Sequence, residues 1–157
     1  MRAVVQRVAR ARVLVDDQPV GEIGRGLLVL LGCLCGDDAG AADRMADAVG
    51  RLRCFNDAAG RMNLDLAAVG GEVLVVSQFT LAWDGSKGRR PSFDRALAPE
   101  RAAPLVERVV ARLRAQGHSV ATGRFGASMQ VELVNDGPVT FHLERLGEAP
   151  GSTQVLS

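Results

Sequence analysis

Conventional catalytic side chains are scarce in this chain of 157 residues. It has two histidines, His118 and His142, far apart in sequence, and three cysteines, Cys33, Cys35 and Cys54. Neither set has the spacing of a zinc site, so no metal and no cofactor is expected. Three cysteines cannot all pair within one chain, and they are read as buried, reduced, structural thiols. Cys33 and Cys35 flank one residue of an apolar run, and in a strand their side chains share a face. No Gly-x-Ser-x-Gly elbow is present to present a nucleophilic serine. No apolar run approaches the ~18 residues of a membrane span. The first strand begins after one Arg, without the separate regions of a signal peptide, so a cytoplasmic location is expected.

Excess charge is missing too. A net charge of +1 argues against broad electrostatic binding of nucleic acid. Local clusters exist nonetheless: Lys87, Arg89, Arg90 and Arg95 crowd one loop, and Arg2, Arg7, Arg10 and Arg12 crowd the first strands. Such clusters are usually solvated surface, yet a few phosphate contacts suffice for gripping one end of a nucleic acid.

The chain does have a core. Hydrophobic residues make up 47% of it, and its length suits one domain that buries about two thirds of its unfolded surface. Strand-like segments cover residues 3–8, 12–15, 20–23, 27–35 and 72–76, with Asp16-Asp17-Gln18-Pro19 as a hairpin turn. Asp37 or Asp38 can cap a helix reaching about residue 55, with Met45, Val49 and Leu52 on one face. Residues 56–60 read as a turn. A second helix spans 99–116, closed by Gly117, with Leu105, Val106, Val109, Val110 and Leu113 as its stripe. Pro104 conflicts with that helix, which either starts irregularly or begins near Ala103. Strands at 119–122, 128–134 and 139–144 follow. Strands that often succeed one another directly, with two helices, predict an α+β fold with a curled, largely antiparallel sheet.

Two strand ends stand out. Ser77-Gln78-Phe79-Thr80-Leu81 follows the strand at 72–76, and Asn135-Asp136-Gly137-Pro138-Val139-Thr140 follows the strand ending at Val134. Together they resemble the two signature motifs of the D-aminoacyl-tRNA deacylases. Met1-Arg2-Ala3-Val4-Val5-Gln6-Arg7-Val8 is similar to the family's first strand, and residues 24–32, 89–93 and 123–131 also fit its pattern. The likeness covers residues 1–145 as a single domain and leaves a tail at 146–157 unmatched.

The resemblance implies a barrel-like sheet, a homodimer, and hydrolysis of D-aminoacyl-tRNA to D-amino acid and free tRNA, a proofreading reaction. It assigns Ser77, Gln78, Phe79 and Thr80 to the catalytic segment, Gly137 and Pro138 to chiral selection, and Phe125 and Met129 to the substrate pocket. Arg7 is implied to hold the Gly-Pro loop, while Asn135 and Thr140 suit the side-chain-to-backbone bonds of a turn. Ser77 and Thr80 have no adjacent base, and an unactivated hydroxyl is a poor nucleophile. Thr80 is thus either a nucleophile or, on the reading preferred here, an orienting group. The ribose 2′-hydroxyl of the terminal adenosine, already beside the ester, can assist in place of a side chain. Backbone amides of Phe79 or Thr80 are candidates for the oxyanion site. From the residues alone Gly137-Pro138 is an ordinary trans turn; the resemblance implies a cis bond whose carbonyls exclude an L side chain and let glycine through. Two competing readings are a non-catalytic module for tRNA acceptor ends and a relative that edits L-aminoacyl-tRNA.

Overall fold

The computed structural model of the chain describes residues 1–85 and 90–147. Its elements in order are β1 (Arg2–Val15), β2 (Gln18–Ile23), β3 (Gly26–Gly32), α1 (Ala39–Gly50), β4 (Phe55–Asn56), β5 (Met62–Leu64), α2 (Leu66–Val69), β6 (Glu72–Ser77), a 3-10 turn (Phe79–Ala82), α3 (Pro99–Ala115), β7 (Ser119–Thr122) and β8 (Gln130–Glu144). The result is α+β, with a curled sheet and three helices where two were expected. The extra one, α2, is too short to show helical periodicity in sequence. Asp65 caps it by accepting from the Ala68 N–H at 3.0 Å. Among the described residues no helix is long and apolar enough to cross a membrane.

The main sheet runs β2-β1-β3-β6-β7, with β8 on the other edge of β1. It is mixed rather than largely antiparallel. β1 pairs antiparallel with β2, β3 and β8, whereas β3–β6 and β6–β7 are parallel. Helices in the connections explain the difference: α1 lies between β3 and β6, and α3 between β6 and β7, the long crossovers that parallel neighbours need. The unbroken apolar runs of β3 and β6 fit strands covered on both faces. Val29 and Leu31 face α1 and α3 in one core, while Leu28, Leu74 and Val76 join Val8, Val13 and Ile23 in a second core inside the curl. The curl nearly closes where β2 meets β7. There, a Cβ on Gly21 would lie 2.3 Å from the Thr122 carbonyl oxygen, so only glycine allows the approach.

Several boundaries differ from the sequence reading. β1 is one strand spanning both expected pieces, because β8 pairs along most of its length while β3 and β2 share its other edge. Asp16 and Asp17 both take positive φ in the β1–β2 turn, the geometry of a tight hairpin. β3 stops at Gly32, so Cys33 and Cys35 do not share a strand face; Cys33 is buried and Cys35 exposed. α1 ends at Gly50, short of residue 55, and Asp38 caps it. α3 starts at Pro99 and passes through Pro104. Both Pro104 and Glu100, whose carbonyl loses its partner, lie on the exposed face, where water can serve that carbonyl. Arg108 and Arg112 hold α3 on α1 through paired bonds of 2.7–2.8 Å to Asp43 and Asp47. These bonds hold both carboxyls below the usual carboxylate range.

Candidate active site

β6 delivers its last residue, Ser77, to the rim of a cleft between the sheet and α3. The Gln78 N–H donates to the Leu31 carbonyl at 2.8 Å, which fixes the exit from the strand. The chain then tightens into the 3-10 turn. Leu81 N–H bonds the Gln78 carbonyl and Trp83 N–H bonds the Thr80 carbonyl, so the amides of Phe79 and Thr80 head the turn without a partner within it. The Gln78 side-chain amide donates to the Thr80 hydroxyl. That contact orients Thr80 and places no base on it.

The cleft has a volume of about 330 Å³ and brings Ser77, Gln78 and Phe79 together with Phe125 and Met129. Phe79 is 61% exposed and meets Phe93 edge-on, with ring centroids 5.0 Å apart. Cys33, to which sequence reasoning gave no site role, is the one titratable side chain among the described residues lining it. Burial, and then the nearby Asp37 carboxylate, push its thiol up to about 12. At neutral pH it is a protonated thiol, which is not a nucleophile.

The other named residues gather elsewhere. Arg7 alone on β1 faces Asp136, Gly137, Pro138 and Val139, because the register passes from Val8↔Asn135 to Gln6↔Thr140. The surplus residues bulge out as a loop, a position that tolerates a proline with no N–H to give the ladder. Gly137-Pro138 is a cis peptide, and both residues are exposed. A Cβ on Gly137 would fall 2.3 Å from the Val139 nitrogen, so the turn demands glycine.

The loop is clamped from two sides. Asn135 accepts from the Val139 N–H at 2.8 Å and donates to the Val139 carbonyl at 3.2 Å. Thr140 Oγ1 accepts from Gln6 Nε2 and Asn135 Nδ2. Buried Arg7 donates Nε to the Asp136 carbonyl at 2.8 Å and Nη1 to the Cys54 carbonyl at 2.6 Å, with Asn56 Oδ1 at 3.3 Å. The β4–β5 hairpin is therefore the anchor of this arginine. Residues 56–60 read as a turn in sequence, but nothing in the pattern linked that turn to Arg7. Gly137 and Pro138 do not line the cleft of their own chain.

A family model described as D-Tyr-tRNA(Tyr) deacylase matches residues 4–144, a span that includes the segments at 77–81 and 135–140 and Arg7. The chain belongs to the D-Tyr-tRNA(Tyr) deacylase family, a family of hydrolases. It is 57% identical to a D-aminoacyl-tRNA deacylase of Symbiobacterium thermophilum over 144 residues, covering 92% of this chain and 95% of that one. It is 59% identical to a D-aminoacyl-tRNA deacylase of Anaeromyxobacter dehalogenans, covering 92% and 97%. Among solved structures it resembles a c-Myc DNA Unwinding Element Binding Protein, with TM-score 0.86, 39% identity and 92% and 98% coverage. A structure described as a probable eukaryotic D-amino acid tRNA deacylase shares the fold, with TM-score 0.76 at 18% identity over 90% of this chain and 98% of that one.

The basic clusters seen in sequence are divided by the deacylase fold. Arg2 bonds Glu144 and the Leu81 carbonyl, Arg12 bonds Glu132, and Arg7 is buried under the loop. Three of the four arginines in the first strands thus serve the fold. Of the loop cluster, Lys87 and Arg89 lie outside the described residues, while Arg90 and Arg95 are exposed.

Proposed function

We propose that this chain hydrolyses the ester of D-aminoacyl-tRNA, releasing D-amino acid and free tRNA, with the substrate's own 2′-hydroxyl assisting the reaction. The observation that carries this reading is the cleft's chemistry. Its described lining offers hydroxyl, amide, aromatic and aliphatic groups, and its one titratable group is a thiol held protonated. With no side-chain base there, proton transfer falls to the vicinal ribose hydroxyl, an effectively intramolecular partner. The Phe79 and Thr80 amides at the head of the 3-10 turn are the donors for the developing oxyanion, a contribution of ~3–4 kcal/mol in comparable sites.

Selection of the D-enantiomer is assigned to the carbonyls of Gly137 and Pro138, which would meet the α-carbon and leave no space for an L side chain. The family resemblance implies a homodimer, and the absence of this loop from its own cleft supports one in which each Gly137-Pro138 loop enters the partner's cleft. A two-fold axis then creates two equivalent composite sites. Exposed Leu133 and Val134, next to the loop on β8, support such a contact. Residues 1–145 constitute the deacylase unit.

The test is hydrolysis of matched D- and L-aminoacyl-tRNA with glycyl-tRNA alongside. Cleavage of the D and glycyl esters with survival of the L ester is expected. Equal rates on both enantiomers would overturn the carbonyl exclusion, and binding without cleavage would make the chain an acceptor-end binding module. Mixing a variant defective in the Ser77–Phe79 segment with one defective in the 135–140 loop should restore activity through exchanged dimers.

A further inference from the structure

The chain has six large aromatic residues, five Phe and one Trp, with no Tyr. Phe55 is fully buried and Phe141 packs against the same core. Of the remaining four, three meet at the cleft, and Trp83 follows at the end of the 3-10 turn that leaves it. Phe79 and Phe125 line the cleft, and Phe93 stands edge-on to Phe79. Trp83 caps the 3-10 turn with its indole over Gly85, and the antiparallel bridge Asp84↔Ser92 sets its backbone in register opposite that of Phe93, outside the cleft lining. Three of these four are exposed: Phe79 by 61%, Trp83 by 55% and Phe125 by 41%. Aromatic area left in water on this scale, gathered at one place, marks a surface that meets a partner.

Charge indicates which partner. Arg90 and Arg95 bracket Phe93 in sequence, and both are exposed without a carboxylate partner among the described residues. The acidic neighbour Asp94 makes no ion pair with either of them. By contrast, Arg2, Arg7, Arg12, Arg108 and Arg112 all reach carboxylates. Flat apolar faces beside uncommitted guanidinium groups suit single-stranded nucleic acid, whose bases stack on the rings while its phosphates meet the cations.

We propose that Trp83 and Phe93, with Arg90 and Arg95, form a stacking platform for the unpaired ribonucleotides that immediately precede the terminal adenosine of the substrate. The inference rests on the reading of the cleft as the seat of that adenosine and its ester. It adds a subsite outside the cleft that grips the RNA strand rather than the amino acid. Stacking is indifferent to base identity, so the platform holds the acceptor ends of different tRNAs alike.

Trp83 is the only tryptophan, which makes the protein its own reporter. The full chain is titrated with a short single-stranded RNA ending in a 3′ adenosine and, separately, with adenosine alone. The oligonucleotide should quench the tryptophan emission and adenosine should not. Phe93→Ala should weaken oligonucleotide affinity about tenfold, the scale of one lost base stack. Replacing Arg90 and Arg95 by Ala together should weaken it and flatten its salt dependence.

In hydrolysis, Trp83→Ala should raise KM for aminoacyl-tRNA and lower the preference for aminoacyl-tRNA over aminoacyl-adenosine by about tenfold, with Trp83→Phe restoring most of it. Unchanged emission on saturation with the oligonucleotide overturns the proposal. So does equal binding of a labelled oligonucleotide to wild type and Trp83→Ala. These binding measurements require no turnover. A chain that cleaves no D ester yet quenches on RNA refutes the deacylase reading alone, and an active chain that shows no quenching refutes the platform alone.

Discussion

Replacing Arg7 with Ala tests the link between the β4–β5 hairpin and the Gly137-Pro138 loop. The guanidinium is 9% exposed and bonds two main-chain carbonyls, Asp136 at 2.8 Å and Cys54 at 2.6 Å, besides the Asn56 side chain. A hydrogen bond from a charged donor contributes about 1.5–3 kcal/mol. The Cys54 bond is buried, so its loss also leaves a carbonyl unpaired. The ion pair to Asp136 adds little, because that carboxylate is 50% exposed and screened by water. The expected cost is about 3 kcal/mol, which for a chain of this length lowers Tm by roughly 6–12 °C. Urea titration and thermal melting read it directly. Arg7→Lys should recover less than half, since an ammonium cannot span acceptors on both sides as the planar fork does. At a temperature where all variants are folded, Arg7→Ala should also lose discrimination between D and L esters, because the loop would no longer be held. A stability loss under about 1 kcal/mol, with discrimination intact, would refute the anchoring role.

Thr80→Ala should stay within about tenfold of wild-type kcat, while a substrate ending in 2′-deoxyadenosine should react poorly. A loss near a thousandfold in Thr80→Ala, on the scale of removing a principal catalytic group, would restore Thr80 as the nucleophile. An alkylating reagent at mildly alkaline pH should label exposed Cys35 and spare Cys33 and Cys54 until the chain unfolds, as peptide mass spectrometry would reveal. Burial raises the Cys33 pKa from 9.0 to about 12. Its contribution to stability is therefore complete below pH 9 and is lost as pH rises toward 12. An alkaline stability profile that is equally steep in Cys33→Ala would contradict that assignment.

The strand end at Ser77, the hairpin at Asp16-Asp17, the cap before α1 and the stripe of α3 were all legible in the sequence. The strand end expected at Val134 is instead a bulge inside β8, which joins the two strands expected at 128–134 and 139–144. The four legible features depend on residues close together along the chain, where turn chemistry, capping and periodicity act. The deacylase likeness was legible for a related reason: Ser77-Gln78-Phe79-Thr80-Leu81 and Asn135-Asp136-Gly137-Pro138-Val139-Thr140 are contiguous strings. The direction of β6 and β7 was not, because an apolar run buried on both faces looks the same whichever way its neighbour points. Only the crossovers carrying α1 and α3 decide that, and they do so through tertiary packing. The same holds for Cys33 and Cys35, whose shared face vanished once β3 ended at Gly32.

Partners distant in sequence were equally invisible. No local rule connects Arg7 to the carbonyl of Cys54 or to the loop at Asp136. These contacts exist because β1 and β8 pair with a surplus on one side and the β4–β5 hairpin folds up beside them. Sequence alone determined which short segments could carry chemistry, since their residue types and neighbours set local shape. The tertiary structure decided which of them meet: Ser77, Gln78 and Phe79 with Phe125 and Met129 in one cleft, and Gly137 and Pro138 in a separate loop. That division depends on long-range strand register and on the crossing of α3 over the sheet, which no window of neighbouring residues encodes.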